Sequence, residues 1–246
     1  MNYSPWHEYF QANRNHFDHL DWDQPASLTA DEKKLITHSI QQFQRGENSE
    51  GKHFIRFAKS MQDPVYLETV RVFIKEEQDH AAILGRFMEL ESIEKIREHW
   101  LDNIFRWLRK LAGLEGTVTV LLTAEIMAIP YYQALGAATQ SILLKKICKQ
   151  VLIDEEMHLR FQCQTLEDLY KNKTIFGFLF SGIIHKILMA GTIIMVWFSH
   201  REVLKAGKFH FISFFRDSWK VFRRCKQMIL GLAKNQPDFH NIHHAA

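Results

Sequence analysis

The sequence of 246 residues predicts an all-α fold: two helix hairpins joined by a long crossover, with additional C-terminal helices. Three observations carry that prediction. Apolar residues recur at steps of three and four through most of the chain, with almost no strand-like alternation. Only 11 Gly and 5 Pro punctuate it, too few for a many-turned β-sandwich. Helix-start and helix-stop signals place a short loop inside each hairpin and a long connection between the two.

Residues 1–28 read as an N-terminal extension, aromatic and polar, without the basic start and apolar run of a signal peptide. Thr29-Ala-Asp-Glu32 has capping-box spacing and opens the first helix. Its apolar face runs through Ile36, Ile40, Phe43, Phe54, Ala58 and Met61 as one continuous stripe. Asp63-Pro64 ends it and starts the second, because Asp caps well and Pro suits a first turn. That second stripe is Val70, Phe73, Ile74, Ala81, Leu84 and Met88. Residues 92–114 form the connection, with some helix around Trp100 to Leu111. A third helix starts near Gly116, with Val118, Leu121, Leu122, Ile129, Tyr132 and Leu135 on its face. The fourth runs from about Thr139 to Tyr170 along Ile147, Val151, Leu152, Leu159, Gln162, Leu166 and Leu169. Residues 29–172 thus make the bundle, 173–234 the C-terminal helices and 235–246 a disordered tail. In that tail His240, His243 and His244 read as a polar end rather than a metal site.

Composition excludes several classes. Cys148, Cys163 and Cys225 cannot all pair with one another and no CxxC occurs, which removes disulfide scaffolds and thiolate zinc or iron centres. Lys and Arg number 31 against 28 Asp and Glu, a balance of +3 that demands no nucleic-acid partner. So few cysteines fit a cytoplasmic location.

Six polar groups interrupt the apolar stripes where core residues belong: Glu47, Glu77, His80, Glu125, Glu155 and His158. A carboxylate on a buried face is costly unless paired, protonated or metal-bound. Thirty residues separate Glu47 from Glu77, and thirty again separate Glu125 from Glu155. A histidine follows three residues later each time, in Glu77-Gln-Asp-His80 and Glu155-Glu-Met-His158. Three residues is about 300° of helical turn, so each Glu and His share a face. The same hairpin therefore occurs twice, and stacking the two gathers four carboxylates and two imidazoles. Such a set suits two divalent ions, whose charge it neutralises, and hard oxygen donors with one nitrogen per metal suit iron or manganese rather than zinc.

In these motifs the chain resembles ferritin-like di-iron carboxylate proteins, rubrerythrin-like branch, without a rubredoxin domain. Gly46-Glu47-Asn48-Ser49, Glu77-Gln-Asp-His80, Glu125 with Pro130-Tyr131, and Glu155-Glu-Met-His158 follow that branch's ligand motifs in order, over about residues 30–170. The resemblance implies a ferritin-like four-helix bundle holding two iron ions through Glu47, Glu77, His80, Glu125, Glu155 and His158, with Glu77 and Glu155 bridging. Glu50, three residues after Glu47 and part of Glu50-Gly-Lys-His53, is an alternative first-helix ligand or a supporting group. Asp154 could hold an imidazole of another helix. Glu76 and Glu156 read as solvated or supporting groups, and Tyr131 and Tyr132 as core packing.

Residues 175–198 are long and apolar enough to cross a bilayer, but His185-Lys186 sits at their centre. They read as a fifth helix packed on the bundle or in a homodimer, with membrane association as the sharper alternative. The next helix, Phe211 to Leu232, is basic and aromatic and suits an anionic membrane surface. The expected function is oxidation or hydroxylation of a small, lipophilic organic substrate with O2 or peroxide and an external electron donor. Iron handling as a ferroxidase or peroxidase, and tRNA hydroxylation, are the alternatives.

Overall fold

The fold comes from a computed structural model, which describes residues 2–48, 51–96 and 113–233. Among the described residues all regular structure is helical. In chain order the helices are α1 (Ser4–Ala12), α2 (Ala30–Glu47), α3 (Lys52–Lys59), α4 (Pro64–Leu90), α5 (Gly113–Ala137), α6 (Ile142–Tyr170), α7 (Ile175–Ala206) and α8 (Phe211–Ile229). A single 3-10 turn, Asn13–Asn15, follows α1.

Local chemistry sets the helix starts. Thr29 accepts a hydrogen bond from the Glu32 N–H, and the Glu32 carboxylate accepts from the Thr29 N–H at 2.9 Å, closing the capping box. Asp63 caps α4 through the Tyr66 N–H, with Pro64 in the first turn. Ser141 caps α6 and Thr174 caps α7. Pro130 sits inside α5 without ending it.

Two boundaries differ from the expected ones. The first hairpin helix is broken rather than continuous: α2 stops at Glu47 and α3 begins at Lys52. Between them Gly51 has φ +61°, and a Cβ there would run into the Ile74 side chain, so the chain can turn only on glycine. The fourth helix starts at Ile142 rather than Thr139, because the cap is Ser141. The helix expected around Trp100 to Leu111 and the tail with His240, His243 and His244 lie outside the described residues.

The main pairings are α5 on α6, α2 and α1 on α4, and α7 on α5 and α2, with α8 covering α6 and α5. The N-terminal segment is part of the core. Trp6 and Phe10 are fully buried, and Phe10 meets Phe73 of α4 and Phe161 of α6 at ring-centroid distances of 6.0 and 5.5 Å. The Trp6 indole N–H donates to Gln164 at 2.8 Å. Cys148, Cys163 and Cys225 are buried and free.

Two helices have the length and composition of a membrane span: Gly113–Ala137, mean hydropathy 1.3 and 78% buried in its apolar window, and Ile175–Ala206, mean hydropathy 1.8 and 28% buried. The first is a core helix. The second packs with one side only, through Met189, Ile193, Val196, Val203 and Leu204.

Candidate metal centre

Four helices bring one cluster to the middle of the molecule. Glu47 is the last residue of α2, Glu77 and His80 lie in the centre of α4, Glu125 in α5, and Glu155 with His158 in α6. His80, Glu155 and His158 are fully buried, with side chains 0% exposed; Glu77 is 15% exposed and Glu47 half-buried, so the cluster is most open on the α2 side. One atom each of Glu77, His80, Glu155 and His158 falls within a group no wider than 4.8 Å.

The rings turn the same nitrogen inward. His158 Nδ1 lies 2.8 Å from Glu77 Oε1, 3.6 Å from Glu155 Oε2 and 3.8 Å from Glu125 Oε2. His80 Nδ1 lies 3.6 Å from Glu155 Oε1. None of these close approaches makes a hydrogen bond at Glu77 Oε1, either Glu155 oxygen or either Nδ1. Orphaned polar atoms this deep are rare unless something else engages them. Here the orphans are oxygens and imidazole nitrogens converging on a shared space, a donor set that fits hard or borderline divalent ions.

The outward nitrogens are tied down. His158 Nε2 bonds Glu76 at 2.9 Å, and His80 Nε2 bonds Asp154 at 3.1 Å. The two hairpins are thus cross-linked reciprocally: Glu76, the acid preceding Glu77 in α4, holds the histidine of α6, and Asp154, the acid preceding Glu155 in α6, holds the histidine of α4. This is the arrangement by which imidazole ligands are fixed in tautomer and direction. Asn13, from the 3-10 turn, donates to both acids, at 3.1 Å to Glu76 and 3.0 Å to Asp154. Asp154 also accepts from Gln150 at 2.9 Å and lies 3.6 Å from His16 Nε2. His16, His80 and Asp154 form a second group with atoms within 4.8 Å of one another. The remaining glutamates have their own supports. Tyr132 donates to Glu47 at 2.9 Å, and Gln162 donates to Glu125 at 2.8 Å.

Electrostatics divide the carboxylates. Burial, then repulsion from Glu77, pushes Glu47 up to about 8. Burial and the charge of Glu125 raise Glu77, and the same two causes raise Glu155 further. For Glu125 burial acts upward, but its close approach to Glu155 and His158 and the hydrogen bond from Gln162 outweigh it and hold the acid low. Asp154 is held low against burial by His80 and His16. Both histidines are raised despite burial, His158 through Glu77 and His80 through Asp154.

The six residues read from the sequence therefore lie around one space, and Asp154 stands at His80. Glu50 lies outside the described residues. Tyr132, expected as core packing, is buried and also bonds Glu47. Gln162, expected as a stripe residue, supports Glu125. Glu76, expected as a solvated or supporting group, is buried and supports His158, with Asn13 as its second partner. A longer repeat was legible for these supports: acid-Glu-x-x-His in Glu76 to His80 and again in Asp154 to His158. Asn13 and His16 carry no motif that would have singled them out.

A cleft of about 870 Å³ between α5, α6 and α8 includes Ile129 and Leu152 in its lining, each about one helical turn from Glu125 and Glu155 respectively. Lys220, Arg223 and Arg224 also line it.

Fold and site together define an all-helical protein with a buried carboxylate and histidine cluster that could hold a metal ion. In comparisons with known proteins the chain gave no significant match to a family model, a curated protein or a solved structure.

Proposed function

We propose that the protein is a di-metal oxidoreductase of the ferritin-like di-iron kind, which uses O2 to oxidise or hydroxylate a small organic substrate. The observation that supports it most is the convergence of unpartnered Glu77, Glu155, His80 and His158 atoms on one buried space, with every outward ring nitrogen already engaged. Bound iron would supply redox capacity and open positions for dioxygen.

The chain's own residues would do the rest. Glu76 and Asp154 keep a proton on each Nε2, which leaves each Nδ1 lone pair facing inward. Glu77 and Glu155, close to the inward nitrogens, would hold the metal together with Glu47 and Glu125, which Tyr132 and Gln162 steady. Four carboxylates balance two divalent charges. Phe73 and Phe10, with ring centroids 4.7 and 5.9 Å from that of His158, exclude water from the α1 side. The cleft beside α8, whose lining residues Ile129 and Leu152 stand about one helical turn from Glu125 and Glu155, would receive a small substrate.

The test is anaerobic loading with ferrous iron followed by oxygen-uptake measurement, with and without small-molecule extract, and light scattering on the same sample. Oxygen uptake increased by extract, from a monomer or small oligomer, is the expected result. A large hollow assembly that mineralises iron, or uptake that no extract changes, would favour iron handling instead.

A further inference from the structure

We propose that the exposed side of α7 docks this protein on an anionic phospholipid bilayer, with the helix lying in the plane of the interface. The inference is independent of the metal reading.

The exposed side is a single stripe. Phe176, Phe180, Ile183, Ile187, Ile194 and Phe198 are 46–86% exposed and recur at steps of three, four and seven. They extend over roughly 33 Å at 1.5 Å per residue. An exposed apolar surface of that length marks an interaction site rather than ordinary scatter. No described residue covers it. The opposite side of the same helix is packed on α5, α2 and α8, so α7 cannot be surrounded by lipid while it remains docked. A helix held in this way can enter only the headgroup and upper acyl layer.

Charge selects the occupant. Residues 171–233 contain eleven Lys and Arg against two acidic residues; Lys171, Lys173 and Arg224 pair with Asp168, Glu115 and Glu156 outside the segment, which leaves a local excess of +6 in a chain whose total is +3. Both acids, Glu202 and Asp217, are paired with the arginine beside them. A second copy placed on this face would bring the same positive charge against it, whereas an anionic lipid surface complements it. Arg201 and Lys205 continue the stripe beyond Phe198 and are exposed. Lys186, the one charged side chain within the apolar run, is exposed as well. Its aliphatic stem lets the ammonium reach headgroup level while the neighbours insert.

The experiment is vesicle flotation of the full-length chain, using phosphatidylcholine vesicles with or without about one third phosphatidylglycerol. Binding to the anionic vesicles is expected, about tenfold weaker on phosphatidylcholine alone and weakened by salt. The double variant Ile183→Glu with Ile187→Glu should lose flotation while helix content and metal stoichiometry stay unchanged. A second pair, Lys186→Glu with Lys205→Glu, removes charge without touching the apolar side chains and should lower binding to anionic vesicles only. Wild-type protein that stays unbound with both vesicle types would overturn the proposal. So would a dimer in solution that the Glu variants dissociate, which would assign the face to a second copy.

Discussion

Which nitrogen each imidazole turns inward is decided one residue before Glu77 and Glu155. Glu76 and Asp154 take the outward Nε2 of His158 and His80, and Asn13 ties the two acids to each other. Glu76→Ala or Asp154→Ala should therefore weaken metal binding by about 10–100-fold, measured by chelator competition, while leaving all six inner residues in place. Asn13→Ala, one bond further out, should cost less than either. The raised carboxylates give a pH dependence of defined sign. Glu47 stands near 8 without metal, against an ordinary 4.5, and Glu77 and Glu155 are raised too. Metal must displace those protons, so affinity should fall as pH drops from 8 to 6, with proton release on binding that calorimetry in buffers of different ionisation enthalpy can count. In the metal-free protein the contribution of Glu47 runs the other way. Its stabilisation is fully present below pH 4.5 and is lost as pH rises through about 8. Metal should thus raise Tm more at pH 8 than at pH 6. At this scale the sequence exposed the inner six residues, because each breaks an apolar stripe. It hid Asn13, because an asparagine in an irregular segment violates no pattern.

Among the elements, capped starts were the most legible. Thr29 with Glu32 and Asp63 with Pro64 announce α2 and α4 through side-chain chemistry that acts within four residues. The break between α2 and α3 was not, and the need for glycine at position 51 comes from Ile74 of another helix. The role of α1 was hidden as well: its aromatic residues bury against α4 and α6, partners distant in sequence. Two features of α7 can be tested. At Gly207 a Cβ would come within 2.5 Å of the Ala134 Cα and 2.7 Å of its carbonyl oxygen, so Gly207→Ala should destabilise by about 1–3 kcal/mol, read from denaturant unfolding. His185 is buried beside Phe222, with a ring-centroid distance of 4.8 Å, and neither nitrogen makes a hydrogen bond. Burial, then the Lys226 charge, pushes it down to about 3. Its stabilising contribution is present above the ordinary 6.5 and is lost as pH falls toward 3. His185→Leu should flatten the acid limb of the stability profile between those values.

Across the whole molecule, function-bearing charge is sorted by depth. The four inner glutamates are gathered at the centre, while the excess of basic residues lies on α7, α8 and the segments joining them. The sequence revealed the first arrangement because the hairpin occurs twice with the same 30-residue interval, an internal repeat that needs no partner protein to be seen. The second was legible only as composition, until packing showed which side of α7 stays uncovered. The central claim is that these four helices hold two metal ions. Its most direct test is to count bound iron per chain after anaerobic reconstitution and desalting, in wild type, Glu77→Ala and His158→Ala. Two irons in the wild type, with loss of binding in both variants, is the predicted result. Two irons retained in both variants, or none bound by the wild type, would contradict it.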